Sequence, residues 1–329
     1  MHSIPMSAEP LLAIRDLSIA FGGGTVAVEG VSLALGRGGS LGLVGESGAG
    51  KSQLALAIPG LTPRTARRSG SIRFDGAELI GATPAALRKV RGARIGTIFQ
   101  DPAAALAPHL SIGTQLAEVL IAHGLARGAA ARHLSQQVLE RVHVPDAAAR
   151  LRQYPHELSG GLQQRVMIAC ALIASPALII ADEPTTALDV TVEAGIVALL
   201  AELTGGGTTA LLLVSHDLAV VATLCDEVAV LYAGRIVEQG PARAVLRAPR
   251  HPYTAALATA RLTLDSALDA PVAAIAGNPP APGERLRGCA FAPRCPRALS
   301  RCAREAPPLV ADGATRFACH APLPAGTAS

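Results

Sequence analysis

The sequence predicts an α/β protein built on a largely parallel sheet, and three observations carry that prediction. Short, wholly apolar runs at Leu41–Val44, Ala177–Ala181 and Ala210–Val214 each stop at polar residues, the pattern of strands buried on both faces. A glycine-rich turn joins the first run to a helix-like stretch at Gln53–Ile58. A mostly helical segment, roughly 103–172, separates the first run from the second.

The remaining elements follow in order. Within residues 11–35, LLAIRDLSIAF and VAVEGVSLAL alternate apolar and polar about the turn Gly22-Gly23-Gly24. SIRF at 71–74 runs into Asp75-Gly76, a hairpin signal, so an antiparallel layer is expected beside the parallel core. EVAVLYAGRIVEQG predicts another hairpin, turning at Ala233-Gly234. Beyond about 241 the composition shifts. Proline-rich chain (Gly277-Asn278-Pro279-Pro280-Ala281-Pro282) and crowded cysteines suggest a separate small module over 241–329, after a main domain over 1–240. No internal repeat or sustained heptad is present.

Of 329 residues, 50% are hydrophobic and 16% charged, which allows a sizeable core and excludes wholesale disorder. The longest apolar stretch, Val166 to Ala181, is broken by Ser175-Pro176 and falls short of the roughly 18–20 residues of a membrane span. The N-terminus has no basic region leading into an apolar one, so the chain is expected to stay in the cytoplasm. A net charge of +4 is mild, and with 2% aromatics and no Trp there is little for single-stranded nucleic acid to stack on. No nucleic-acid partner is expected.

Gly45-Glu46-Ser47-Gly48-Ala49-Gly50-Lys51-Ser52 fits G-x-x-x-x-G-K-[ST], placed between a buried strand and a helix. Glycines there let backbone N–H groups converge on phosphate oxygens. Lys51, one of only two lysines in the chain, is placed to reach the β- and γ-phosphates, and the Ser52 hydroxyl to ligate Mg²⁺. The strand Ala177–Ala181 ends in Asp182 and Glu183. Where the chain begins to turn, both carboxylates can serve one site: Asp182 for Mg²⁺, Glu183 as the base that polarises an attacking water. Leu158-Ser159-Gly160-Gly161-Leu162-Gln163-Gln164-Arg165 is a second glycine-rich helix start, with Ser159 as the expected N-cap.

With these motifs in one chain, the sequence resembles the nucleotide-binding subunits of ABC transporters over about residues 10–325. The resemblance implies a P-loop (RecA-like) core, an antiparallel β subdomain and a helical subdomain, with ATP and Mg²⁺ as ligands. It implies that Ser159, Gly160 and Gly161 are a signature presented to the ATP of a partner subunit. Gln100 would be the Q-loop residue contacting Mg²⁺ or the attacking water, and Asp189, in Ala187-Leu188-Asp189, the D-loop residue. His216 would be the switch histidine holding the γ-phosphate, and Phe21 the aromatic that stacks on adenine.

Arg250-His251-Pro252-Tyr253-Thr254 and Gly288-Cys289-Ala290-Phe291-Ala292-Pro293-Arg294-Cys295-Pro296 resemble the C-terminal marks of subunits that energise oligopeptide and dipeptide importers. Ala290 departs from the Pro usual there, Gly39 from a Glu, and Leu162-Gln163 from Met-Arg; none is a phosphate, metal or base position. The implied setting is peripheral, on the cytoplasmic face of a bacterial inner membrane. Implied partners are a second ATPase subunit (a copy or a paralogue), two permease subunits and, indirectly, an extracytoplasmic solute-binding protein. Nickel or another solute stays open as the cargo, as does a non-transport ABC ATPase.

Cys289, Cys295, Cys302 and Cys319 are spaced C-x5-C-x6-C-x16-C, which matches neither a zinc ribbon nor a ferredoxin run. The resemblance implies a [4Fe–4S] cluster there; zinc and uncoordinated thiols remain open. Cys170 and Cys225 lie in apolar helical patterns and are expected in the core.

Overall fold

The computed structural model describes residues 9–186, 189–259, 275–281, 284 and 287–324. The chain begins with β1 (Leu12–Ala20) and β2 (Val26–Leu35), both with alternating burial. β3 (Ser40–Val44) leads through the glycine-rich loop into α1 (Lys51–Ala57). β4 (Arg67–Phe74) pairs antiparallel with β1, and Asp75-Gly76, both at positive φ, turn the chain into β5 (Ala77–Glu78). Then come α2 (Pro84–Val90), whose N-cap Thr83 accepts from the Ala86 N–H, and β6 (Ile95–Ile98).

The helical stretch resolves into α3 (Pro102–Ala105), α4 (Ile112–Ala122), α5 (Gly128–Arg141), α6 (Ala147–Arg150) and α7 (Gly160–Leu172). After it alternate β7 (Leu178–Asp182), α8 (Val190–Thr204), β8 (Ala210–Ser215) and α9 (Leu218–Leu224). The hairpin of β9 (Glu227–Tyr232) and β10 (Arg235–Pro241) turns at Ala233-Gly234, and α10 (Ala242–Arg247) and α11 (Pro252–Thr259) follow. The short strands β11 (Val310–Asp312) and β12 (Thr315–Phe317) come last.

Two compact units emerge. One comprises Leu35–Ser40 and Asp75–Val214. In it β6, β7 and β8 run parallel, and every residue of β7 and β8 is buried, as suits strands that are apolar up to their last residues, Asp182 and Ser215. α4 and α5 pack on α7, and α7 packs on β6. Gly96 makes that last contact possible, since a Cβ there would lie 2.2 Å from the Ala171 carbonyl oxygen.

The other unit comprises Leu12–Ala34, Leu41–Phe74 and the chain from Ser215 onward. Here β3 runs parallel to β9, from Leu41↔Glu227 to Val44↔Val230. β10 pairs antiparallel with β9, with a bulge between Ile236 and Glu238. The chain beyond 241, expected from its composition to form a module of its own, returns here: Glu238↔Phe317 and Gln239↔Arg316 pair β12 with β10, and β11 pairs with β12.

Candidate functional site

Backbone geometry shapes the phosphate loop. Gly45 has φ 152° and Gly50 φ 98°, and a Cβ at either would lie 2.3 Å from a carbonyl oxygen, of Leu231 and Ala27 respectively. Only glycine satisfies both demands. Gly50 leads directly into α1. Lys51 is 4% exposed, and its ammonium donates to the carbonyls of Gly45 (2.8 Å) and Glu46 (3.1 Å), so it lies across the loop it follows. Ala49 N–H donates to the Glu46 carbonyl, and Gly234 N–H to that of Ala49. Such a cradle, narrow and free of Cβ atoms where it must be, fits a polyphosphate.

Glu46 has two further partners. Its backbone N–H donates to the Tyr253 hydroxyl at 2.7 Å, and its carboxylate is held by the Arg294 guanidinium at 2.6 and 3.0 Å. Tyr253 is fully buried against Tyr232 and Phe291, with ring centroids 4.6 and 5.3 Å away. His251 is 1% exposed, and burial drives its pKa down to about 4. Its neutral ring accepts from the Tyr253 N–H through Nδ1 at 3.0 Å. The N–H groups of Arg250 and His251 donate to the buried carboxylate of Glu238, whose pKa burial raises.

In the first unit, β7 delivers Asp182, 7% exposed, at its last position. Glu183 comes next with φ 47°, a left-handed conformation that costs a non-glycine residue about 1–3 kcal/mol. The chain does turn here, directly after the strand, as its polar ending predicts. The Glu183 N–H donates to the Val214 carbonyl, while its Oε2 accepts from Gln100 Nε2 (3.2 Å) and from Thr186 Oγ1 (3.0 Å). The buried Gln164 of α7 donates to the Pro184 carbonyl at 2.6 Å and so ties α7 to the residue after Glu183.

The other expected positions are less gathered. Ser159 and Gly160 are exposed at the start of α7. The Ser159 side chain makes no capping hydrogen bond, contrary to expectation; its carbonyl accepts from the Gln163 N–H instead. Gly161 keeps α7 close to α8, where a Cβ would meet Val192 Cγ1 at 3.0 Å. Asp189 caps α8 through a 2.9 Å bond from the Val192 N–H; Ala187 and Leu188 of its motif lie outside the described residues, as does Pro282 of the proline-rich stretch. His216 is exposed just after β8, and Phe21 is half-buried at the end of β1. Ser52 is half-buried in the first turn of α1.

The four tail cysteines share one neighbourhood. Burial raises the thiol pKa values of Cys289 and Cys295, and that of Cys319 to about 11, with neighbouring thiols adding to each rise. Cys302 and Cys319 sulfurs accept from the backbone N–H groups of Leu299 and Ala321 at 3.4 Å. Among the described residues, no three His, Cys, Asp or Glu side chains form a group arranged to hold a metal ion. Cys225 is buried and Cys170 half-buried, and burial drives both thiol pKa values up to about 12.

Fold and loop together define a nucleotide-binding ATPase of the P-loop type. The description of the family "ABC transporter" matches residues 28–186, and "Oligopeptide/dipeptide transporter, C-terminal region" matches 237–302. The oligopeptide transport ATP-binding protein OppD of Salmonella typhimurium is 46% identical over 323 residues, 97% of this chain and 96% of its own. OppD of Bacillus subtilis is 42% identical over 312 residues, covering 93% and 87%. Among solved structures, the ATP-binding cassette MJ0796, dimeric in a post-hydrolysis state with ADP and Pi, matches with a TM-score of 0.63 at 28% identity. That match covers 70% of this chain and 99% of the cassette. The chain therefore belongs to the ABC transporter ATP-binding proteins, in the oligopeptide branch marked by that C-terminal region.

Tyr253 and Arg294 were not recognised in the sequence as loop contacts. They lie 207 and 248 positions from Glu46, and no periodicity reports so distant a pairing. The one available signal was scarcity: a tyrosine in a chain with only three, inside a motif that the resemblance had already marked.

Proposed function

We propose that this chain is the ATP-hydrolysing subunit of an importer of oligopeptides or dipeptides, working as half of an ATPase dimer on two permease subunits supplied by a solute-binding protein. The observation that carries this is the cradle of Gly45–Ser52, joined in one chain to a C-terminal region of the oligopeptide/dipeptide type. The proposed location is peripheral, on the cytoplasmic face of the inner membrane. Among the described residues no helix is long and apolar enough to cross a membrane.

In this reading the loop N–H groups and Lys51 bind the β- and γ-phosphates, and Phe21 lies against adenine. Ser52, Asp182 and Gln100 hold Mg²⁺, which offsets charge on the phosphates when bound. Glu183 accepts the proton of the attacking water, and Gln100, already bonded to it, orients that water. His216 steadies the γ-phosphate. Ser159, Gly160 and Gly161, exposed or half-exposed at the start of α7, serve the ATP bound by the partner subunit, with Asp189 nearby. Hydrolysis releases the two subunits, and the permease feels it through the surface around Gln100 and the helical segment.

The finer reading of the tail is that Cys289, Cys295, Cys302 and Cys319 hold a [4Fe–4S] cluster, with zinc the alternative. Four thiols in one neighbourhood, two of them accepting N–H bonds, suit soft-metal chemistry; their arrangement is not that of a ligand set, and no catalytic step depends on it. Iron and sulfide content of anaerobically purified protein decides: both at about four per chain support the cluster, and zinc alone selects the alternative.

The function itself is tested in vesicles reconstituted with the full chain, its partner ATPase and the permease pair. ATPase activity should rise with peptide-loaded binding protein, and labelled peptide should accumulate. Stimulation by nickel-loaded binding protein instead would assign the cargo elsewhere.

A further inference from the structure

Arg294 is 4% exposed at its side chain, and all five of its guanidinium N–H donors are engaged. Nε donates to the Ala276 carbonyl at 2.9 Å. One terminal nitrogen serves Glu46 Oε2 (2.6 Å) and the Tyr232 hydroxyl (3.2 Å). The other serves Glu46 Oε1 (3.0 Å) and the Ile275 carbonyl (3.1 Å). With no donor left over, Arg294 is not a phosphate ligand. Its strongest bond is a two-pronged one to the second residue of the phosphate loop.

That residue is an electrostatic problem. The Glu46 carbonyl receives the Lys51 ammonium at 3.1 Å, so Glu46 sits beside the cation assigned to the phosphates. A loose carboxylate at this point would repel a triphosphate. The Arg294 segment is itself firmly seated: Phe291, three residues earlier, packs edge-on against Tyr232 at 5.3 Å and lies 5.3 Å from Tyr253 and 5.9 Å from His251. Glu46 is therefore pinned at its backbone by Tyr253 and at its carboxylate by Arg294, both from the C-terminal region.

We propose that Arg294 is a positioning residue for ATP binding: it neutralises and sequesters the Glu46 carboxylate, so that the C-terminal region sets the nucleotide affinity of the phosphate loop. The inference rests on the reading of Gly45–Ser52 as the ATP site. It separates two roles that a mere structural latch would merge. Losing the cation leaves an uncompensated negative charge by the phosphates, whereas losing the carboxylate removes the repulsion itself.

The test is equilibrium titration of the full-length chain with ATP, in the absence of turnover, for Arg294→Gln, Glu46→Gln and the double variant. Arg294→Gln should raise the ATP Kd roughly five- to tenfold. Glu46→Gln should lower it, and the double variant should return to within about twofold of the parent. Equal weakening by both single variants, or a double variant no better than Arg294→Gln, would overturn the proposal, as would Arg294→Gln with an unchanged Kd. Should Arg294→Gln not fold, Glu46→Gln decides alone: tighter binding upholds the idea, and unchanged or weaker binding rejects it. Lys51→Ala serves as the separate control. If it binds ATP normally, the reading of the loop has failed, whatever Arg294 does.

Discussion

The Gln100 side-chain amide donates to the Glu183 carboxylate at 3.2 Å, joining two residues 83 positions apart in sequence. Glu183 is presented by a strained left-handed backbone and held by Thr186 as well, so its carboxylate is fixed in place. Substitution by Gln keeps the shape and removes the carboxylate proposed as the base. Glu183→Gln is expected to lower ATP turnover by about 10²- to 10⁴-fold while ATP still binds. Phosphate release measured beside nucleotide binding checks this; normal turnover would take Glu183 out of the role.

The phosphate loop offers a graded pair of glycine substitutions. At Gly50 a methyl group would collide with the Ala27 carbonyl at 2.3 Å and sit at φ 98°. Gly50→Ala should cost at least about 2 kcal/mol of stability and abolish ATP binding. Gly48 has φ 79° but open space around it, so Gly48→Ala meets the conformational penalty alone, about 1 kcal/mol. Thermal unfolding and ATP titration of both should rank them in that order.

Gln164 is buried and gives its amide to the Pro184 carbonyl, next to Glu183. Gln164→Leu should cost about 1–3 kcal/mol because that carbonyl loses its partner away from water. The ATPase rate should fall further than nucleotide affinity, since the lost bond bears on the proposed base, Glu183, and not on the phosphate loop. Calorimetry combined with kcat and KM separates the two effects.

Burial holds the pKa of His251 at about 4, below the 6.5 of an unperturbed imidazole. The unfolded chain thus binds more protons between these values, and stability falls as pH drops from about 6.5 toward 4. The full effect of this group is on the order of 3 kcal/mol. The groups facing it are the Glu238 carboxylate, Arg250 and Tyr253, and Glu238, itself raised by burial, titrates in the opposite sense. His251→Asn keeps an acceptor near the Nδ1 position without a titrating ring, so its melting temperature should fall less between pH 7 and pH 5. Parallel pH profiles of the two proteins would contradict this.

Much of the fold around the phosphate loop is legible in the sequence. Leu41–Val44 and the loop after it were readable because buried parallel strands are uniformly apolar and the loop's glycines keep a fixed spacing. The hairpin at Ala233-Gly234 was likewise local in origin. β6 escaped notice because Ile95–Ile98 is four residues long and contains a glycine, too little pattern to register. Ser159 misled: a serine before a helix is a good cap in general, but here its side chain does not turn back to the N–H groups. The holds on Glu46 leave only a faint trace in the sequence, the scarcity of tyrosine. They join a loop near the start of the chain to side chains near its end, and only folding brings the two together.

The pairing of β12 onto β10 bears on how this subunit can be shortened. Cutting the chain at residue 302, where the family match stops, would strip a row of main-chain donors and acceptors at Glu238 and Gln239 of its complement. Bared ladder groups of that kind recruit strands from other molecules. Such a fragment would be a seed for clumping before it was ever a minimal ATPase, which makes the strand pair at 310–317 a solubility device as well as a piece of sheet.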